Sequence, residues 1–172
     1  YYIKHESPNV KGVYGLPELH RDEIKKTNLV ANPGCYPTAA ILSLAPLLKE
    51  NLISTDHIIV DAKSGTSGAG TGVSEVTHHP TCGNSMRAYA ATTHRHSPEI
   101  AQELSKLAGR PVKLGFTPHL IPIVRGILST AHVFLKKPMT KEALLEIYRD
   151  FYRGERFVRV LDDLPQINFV VG

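Results

Sequence analysis

An apolar triplet, Leu29-Val30-Ala31, breaks at Asn32-Pro33-Gly34 and passes through Cys35 into a long apolar repeat. No other part of the chain constrains the fold as much as this junction. The triplet reads as a short buried strand. Residues 38–48 carry Ala40, Ile41, Leu44, Ala45, Leu47 and Leu48 on one broad face, the pattern of a helix packed on a core. Pro46 within that repeat predicts a kink or an end to regular hydrogen bonding. A strand that crosses a Pro-Gly break into a helix puts Cys35 at or near the helix N-terminus. Unpaired amides and the positive end of the macrodipole favour an anion there, so the thiol is drawn toward thiolate. Two readings follow: a nucleophile for covalent acyl transfer, or a buried apolar cysteine.

The chain has 172 residues, of which 42% are hydrophobic, enough for one domain or one domain plus part of another. It has no apolar run of membrane-spanning length and no signal-like start, so no membrane is expected. Cys35 and Cys82 are the only two cysteines, which argues against a disulfide framework and for a reducing, cytoplasmic setting. The excess of 20 Lys and Arg over 16 Asp and Glu is dispersed. It fits an anionic small molecule better than nucleic acid. The start at Tyr1 and the strand-like close over 167–172 read as cuts within a longer protein.

Further along, residues 1–28 are polar and turn-rich, with one helical candidate at 16–26. A strand is expected at 57–63, running into the glycine-rich loop 64–72, with 73–86 irregular and 87–96 extended. Ser97-Pro98-Glu99 has the form of an N-cap, a first-turn proline and a first-turn acid, opening a helix that Gly109 ends. Strands at 112–116 and 127–135 precede a helix from N-cap Thr140 to Arg153, stopped by Gly154. Short strands are expected at 157–160 and 167–171. Helices and strands that do not strictly alternate predict an α+β fold, with helices covering a mixed, largely antiparallel sheet.

Three further groups carry chemistry. The loop Ser64-Gly65-Thr66-Ser67-Gly68-Ala69-Gly70-Thr71-Gly72 matches neither the Walker, the dinucleotide nor the hydrolase-elbow signature. It reads either as a nest of amides facing an anion or as a flexible surface loop. His94 and His96 share one side of an extended segment, as acid–base groups or as a structural pair. A metal site is not expected, because no Cys-x-x-Cys or His-Glu-x-x-His spacing supports one. Arg125, in the apolar stretch from Phe116 to Gly126, requires an anionic partner, either a bidentate ligand or a structural carboxylate. Cys82 lacks an activating context and reads as structural.

Taken together, Asn32-Pro33-Gly34-Cys35-Tyr36-Pro37-Thr38, Ser64 to Gly70, His94-Arg95-His96-Ser97-Pro98-Glu99-Ile100 and Phe116-Thr117-Pro118-His119 through Arg125-Gly126 resemble the N-acetyl-gamma-glutamyl-phosphate reductases of arginine biosynthesis. The resemblance implies a two-domain enzyme whose catalytic part is like the C-terminal domain of glyceraldehyde-3-phosphate dehydrogenase. Residues 1–34 would be the tail of a nucleotide-binding domain. Residues 35–172 would be the catalytic and dimerisation domain, truncated at its end and inactive alone. It implies that Cys35 attacks an acyl phosphate, with NADPH reducing the thioester to the semialdehyde and no metal involved. His96 would serve as acid–base group with His94 in support. Arg125, Ser64, Arg95 and His119 would contact substrate, and Gly65, Ser67 and Gly68 would border the cofactor. A homo-oligomer is implied as well. Thr71 stands where the family usually carries a basic residue. Two other readings are a relative acting on an aminoadipyl or carrier-protein-bound acyl phosphate, and an oligomerisation module without activity.

Overall fold

The computed structural model describes residues 11–72 and 74–169. A parallel two-stranded ribbon pairs β1 (Val13–Tyr14) with β2 (Val30–Ala31), and between them lies α1 (Pro17–Ile24), bent at His20. The main body has α2 (Cys35–Lys49), β3 (Ile58–Ser64), a 3-10 turn (Thr66–Ala69), one helical turn, α3 (His79–Cys82), and β4 (Arg87–Ala88). Then come α4 (His96–Ala108), β5 (Leu114–Leu120), β6 (Ile127–His132), α5 (Lys141–Phe151) and a 3-10 turn (Ile167–Phe169). The four-stranded sheet has the order β4-β5-β3-β6. β3 runs parallel to β5, from Ile58 opposite Leu114 to Ser64 opposite Leu120, while the β3–β6 and β4–β5 pairs are antiparallel. The fold is therefore the expected α+β arrangement with a mixed sheet.

Strand alternation decides which face holds the core. Ile58, Val60, Ala62 and Ser64 of β3 and Phe116, Pro118 and Leu120 of β5 are buried. They lie beneath α2 and α4, which bring Ile41, Leu44, Ile100 and Leu104 into the same cluster. The other face presents Ile59, Gly115, Thr130 and His132 to solvent. Ile59 is 46% exposed.

α2 begins at Cys35 and runs unbroken through Pro46, so the expected kink or stop does not occur. Pro46 has no N–H for the carbonyl of Leu42, one turn earlier. The Tyr152 hydroxyl, just after α5, donates to that carbonyl at 2.5 Å, and Tyr148 donates to the carbonyl of Ser43 at 2.5 Å. Burial raises both phenol pKa values, that of Tyr148 to about 12, so both stay protonated donors. Tyr152 thus replaces the bond that proline removes, and Tyr148 adds a second donor one residue along. Tyr152→Phe is expected to lower stability by about 1–3 kcal/mol, the cost of an orphaned buried carbonyl. Tyr148→Phe should cost less, since Ser43 retains the helical amide of Leu47. Urea unfolding of the two variants tests the ranking.

Several expected elements differ. Leu29 and Val30 are each 44% exposed, so the apolar triplet is a ribbon edge and not a buried strand. In 87–96 the strand β4 ends at Ala88, the Tyr89 amide still bonds to the Pro118 carbonyl along the sheet, and Ala90 then turns the chain with φ 45°. Residues 79–82, expected to be irregular, form a helical turn. Segment 157–160 is not a strand, and 167–169 is a 3-10 turn. Residues 1–10 and the last part of the expected final strand lie outside the described residues. The Gly109 stop holds, with φ 66°, whereas α5 ends at Phe151, short of the expected Arg153, and Gly154, with φ 86°, lies in the turn beyond it. Thr140 caps α5 by accepting the Ala143 amide at 3.2 Å.

Candidate active site

Gly34 is extended, with φ −66° and ψ 157°, and Cys35 is the first residue of α2. The thiol is exposed, which rules out the buried-cysteine reading. The Gly34 carbonyl accepts the Thr38 amide at 3.0 Å and the Thr38 hydroxyl at 2.9 Å, locking the first helical turn behind Cys35. In the other direction, the Gly34 amide donates to Glu99 Oε1 at 2.9 Å, and Tyr14 donates to the same oxygen at 2.8 Å. Glu99 is only 2% exposed. One buried carboxylate on α4 thus ties the β1 ribbon to the cysteine turn.

The chain from β4 delivers the histidines from the opposite side. They do not alternate along a strand, as the sequence suggested. The α4 helix starts at His96, earlier than the expected Ser97 cap, and His94 lies in the turn before it. The two rings still meet, with centroids 4.9 Å apart. The His96 amide donates to His94 Nδ1 at 3.1 Å. In the neutral ring this leaves the His94 proton on Nε2. Burial, then the neighbouring His96 and Arg95, hold the His94 pKa down at about 4, so the ring is a neutral donor near pH 7. Burial also lowers the pKa of His96, with Arg95 adding to the effect and Glu99 opposing it. His96 presses on the cysteine turn: a methyl built on Gly34 would lie 2.4 Å from its Nε2.

These groups line a cavity of about 300 Å³ with Tyr36, Ser64, Tyr89, Arg95 and the glycine loop. Tyr36 makes edge contacts with both histidines and Phe116, and its hydroxyl pairs with Tyr89 at 3.0 Å. Gly65, Gly68 and Ala69 reach the cavity; Ser67 does not. The amides of Gly65, Thr66 and Ser67 donate to the carbonyls of Gly126, Ile123 and Val124 at 3.0, 2.9 and 2.9 Å. These three amides are therefore not an anion nest. They brace the loop against 121–126, and the close approach requires glycine: a methyl on Gly65 would lie 2.7 Å from the Val124 carbonyl.

Two expected substrate contacts lie elsewhere. The Arg125 side chain lines a separate groove with Ile121, Ile123, Val124, Ile167 and Asn168. His119 is out of phase with the buried residues of β5, and only its carbonyl turns toward the site, accepting from Tyr36 at 3.3 Å. Cys82 is 8% exposed, with its sulfur 3.5 Å from the Thr77 carbonyl, in keeping with a structural role. Among the described residues, no three His, Cys, Asp or Glu side chains form a group able to hold a metal ion, and no helix is long and apolar enough to cross a membrane.

Sequence reasoning missed Tyr36, Tyr89 and Glu99. For Glu99 a signal existed, since it stands three residues after His96 on one helix face. For the tyrosines there was none, because their pairing joins positions 53 residues apart.

Chemically, the arrangement joins an exposed thiol, an imidazole packed against the turn that carries it, a neutral imidazole donor and a guanidinium. That set suits nucleophilic attack on an anionic acyl group. Solved aspartate semialdehyde dehydrogenases share the fold. The enzyme from Francisella tularensis aligns at TM-score 0.61 over 96% of this chain and 58% of its own, with 15% identity. Enzyme II from Vibrio cholerae aligns at 0.59 over 78% and 47%, with 17% identity. The N-acetyl-gamma-glutamyl-phosphate reductase of Methanocaldococcus jannaschii is 53% identical over 100% of this chain and 50% of its own length. That of Desulforamulus reducens is 59% identical over 87% and 43%. The chain thus spans about half the length of the curated relatives it matches. The model of the semialdehyde dehydrogenase dimerisation domain matches residues 35–172. The chain belongs to the semialdehyde dehydrogenase dimerisation-domain family, and both of these curated relatives are named N-acetyl-gamma-glutamyl-phosphate reductase.

Proposed function

We propose that this chain is the catalytic domain of an oxidoreductase that converts N-acetyl-L-glutamyl 5-phosphate to N-acetyl-L-glutamate 5-semialdehyde, with release of phosphate, in cytoplasmic arginine biosynthesis. The observation that carries this reading is an exposed Cys35 opening α2 with His96 Nε2 against the preceding Gly34. Residues 1–34 would belong to the nucleotide-binding part and 35–172 to the catalytic and dimerisation part.

In this reading His96 takes the Cys35 proton, the sulfur bonds to the acyl carbon, and the carbon–oxygen bond to phosphate breaks, leaving a thioester. Nε2–H of His94 and the Arg95 guanidinium hold the anionic oxygens, and Ser64 borders the same space. When bound, NADPH supplies the hydride that reduces the thioester. The open wall at Gly68 fits the edge of a flat ring, since among the described residues a methyl there would meet the Ser64 hydroxyl alone, at 3.5 Å, and Gly65 lines the same cavity. His96 protonates the resulting oxyanion, then recovers that proton as the carbon–sulfur bond breaks and the aldehyde leaves. Glu99 is a positioning residue, holding the Gly34 amide and favouring the imidazolium form of His96. The exposed sheet face around Ile59 supports association with a second copy.

The test is turnover by the full-length protein. NADPH oxidation with N-acetyl-glutamyl phosphate is expected to yield one phosphate and one semialdehyde per NADPH. Preference for the aminoadipyl homologue, or no reduction of either, overturns the assignment.

A further inference from the structure

Beside the Cys35 cavity, and sharing the wall made by Ser74 and Val76, runs a second groove whose other lining residues are Glu75, His78, Thr81 and Arg87. We propose that this groove is the subsite for the carboxylate at the far end of the substrate, with Arg87 as its clamp. The proposal rests on the function given above and deepens it.

Strand geometry places the guanidinium. Arg87 pairs with Leu120 across β4 and β5, and Leu120 lines the Cys35 cavity. Tyr89, two residues on, lines that cavity too, and its amide is held by the Pro118 carbonyl at 3.1 Å. Side chains two apart in an extended segment share a face, about 6.6 Å from one another along the strand. Arg87 is therefore on the substrate side of the sheet, one pleat beyond the reacting group. Among the described residues its side chain forms no ion pair or hydrogen bond, even with Glu75 in the same groove, so its donors are uncommitted.

The charges divide accordingly. Arg95 lies in the Cys35 cavity, where its charge acts on both histidines, and is suited to the acyl phosphate. Arg125 lies in a different groove. Arg87 remains for the second anionic group, and a guanidinium holds a carboxylate bidentately. The Glu75 carboxylate in the same groove suits an amide N–H, the group an N-acetylated amino acid carries next to its carboxylate.

Kinetics in the semialdehyde-oxidising direction, with the full-length protein, separate the two anions. Arg87→Ala is expected to raise KM for N-acetyl-glutamate semialdehyde roughly tenfold to a hundredfold, the value of a charge-assisted bond, with kcat and the KM for phosphate little changed. Arg87→Lys should recover part of the loss. An analogue with the carboxylate converted to amide should be insensitive to Arg87→Ala. An unchanged semialdehyde KM, a raised phosphate KM, or equal loss with the amide analogue overturns the proposal. If the wild type proves unable to oxidise the semialdehyde, it is the functional reading that fails. Protection of Cys35 from iodoacetamide by N-acetyl-glutamate then decides the subsite: loss of protection in Arg87→Ala supports it, and equal protection in both proteins refutes it.

Discussion

Cys35→Ser is expected to lower turnover of the acyl phosphate by at least ~10⁴-fold in the full-length protein and to abolish the acyl adduct at residue 35. The substitution changes one atom and leaves the first turn of α2 intact, because the Thr38 contacts are to the Gly34 carbonyl and not to the thiol. What is lost is chemical. A hydroxyl is far harder to ionise than a thiol, and an alkoxide is a far poorer leaving group than a thiolate. Both halves of the reaction therefore suffer, the attack on the acyl carbon and the later release of the aldehyde. Wild type incubated with substrate and without NADPH should release one phosphate per active site and gain the mass of the acyl group on the peptide containing residue 35. Cys82→Ala should retain both, because Cys82 is buried away from the thiol's turn. Turnover of the serine variant within about tenfold of wild type would remove Cys35 from the chemistry.

Local signals in the sequence carried far in some places and failed in others, each for a physical reason. The strand–turn–helix junction at Cys35 rests on neighbouring residues, and so do the Gly109 stop and the Thr140 cap; all three are found as expected. Segment 87–96 misled because its small and β-branched residues look like a strand, whereas Ala90 adopts a left-handed turn that its Cβ disfavours, so no residue type there signals the turn. The histidines consequently meet through a turn and a helix start, a different route to the same proximity. The glycine loop matched the composition of an anion nest, yet Gly65 to Ser67 spend their amides on 123–126, a pairing across more than fifty positions that no local pattern records. Pro46 shows the same lesson in reverse. A helix breaker is tolerated because Tyr152, 110 positions away from Leu42, supplies the missing donor. Arg125 was singled out for its apolar neighbours, but those neighbours form the other groove.

Gly34→Ala should cost roughly 10²-fold in kcat/KM, the typical penalty for an ångström-scale displacement of a reacting group. The backbone does not object, since φ −66° and ψ 157° are ordinary for alanine. The nearest conflict is with His96: the new methyl would lie 2.4 Å from Nε2 and 2.8 Å from both Cδ2 and Cε1. At 6% exposure the ring has little room to retreat, so either the imidazole or the cysteine turn shifts. His96→Asn sets the ceiling for this effect, a loss of about 10²–10⁴-fold for a missing acid–base group. If the alanine acts through His96, the double variant is no slower than His96→Asn alone, because the two changes damage one interaction. The pH profile gives an independent check. Burial favours the neutral, proton-accepting imidazole and lowers its pKa from 6.5. The acid limb of wild-type kcat/KM therefore lies below pH 6.5, with activity lost as falling pH protonates the ring and retained above it. A double variant with fully additive losses would show that Gly34 serves something other than the seat of this imidazole.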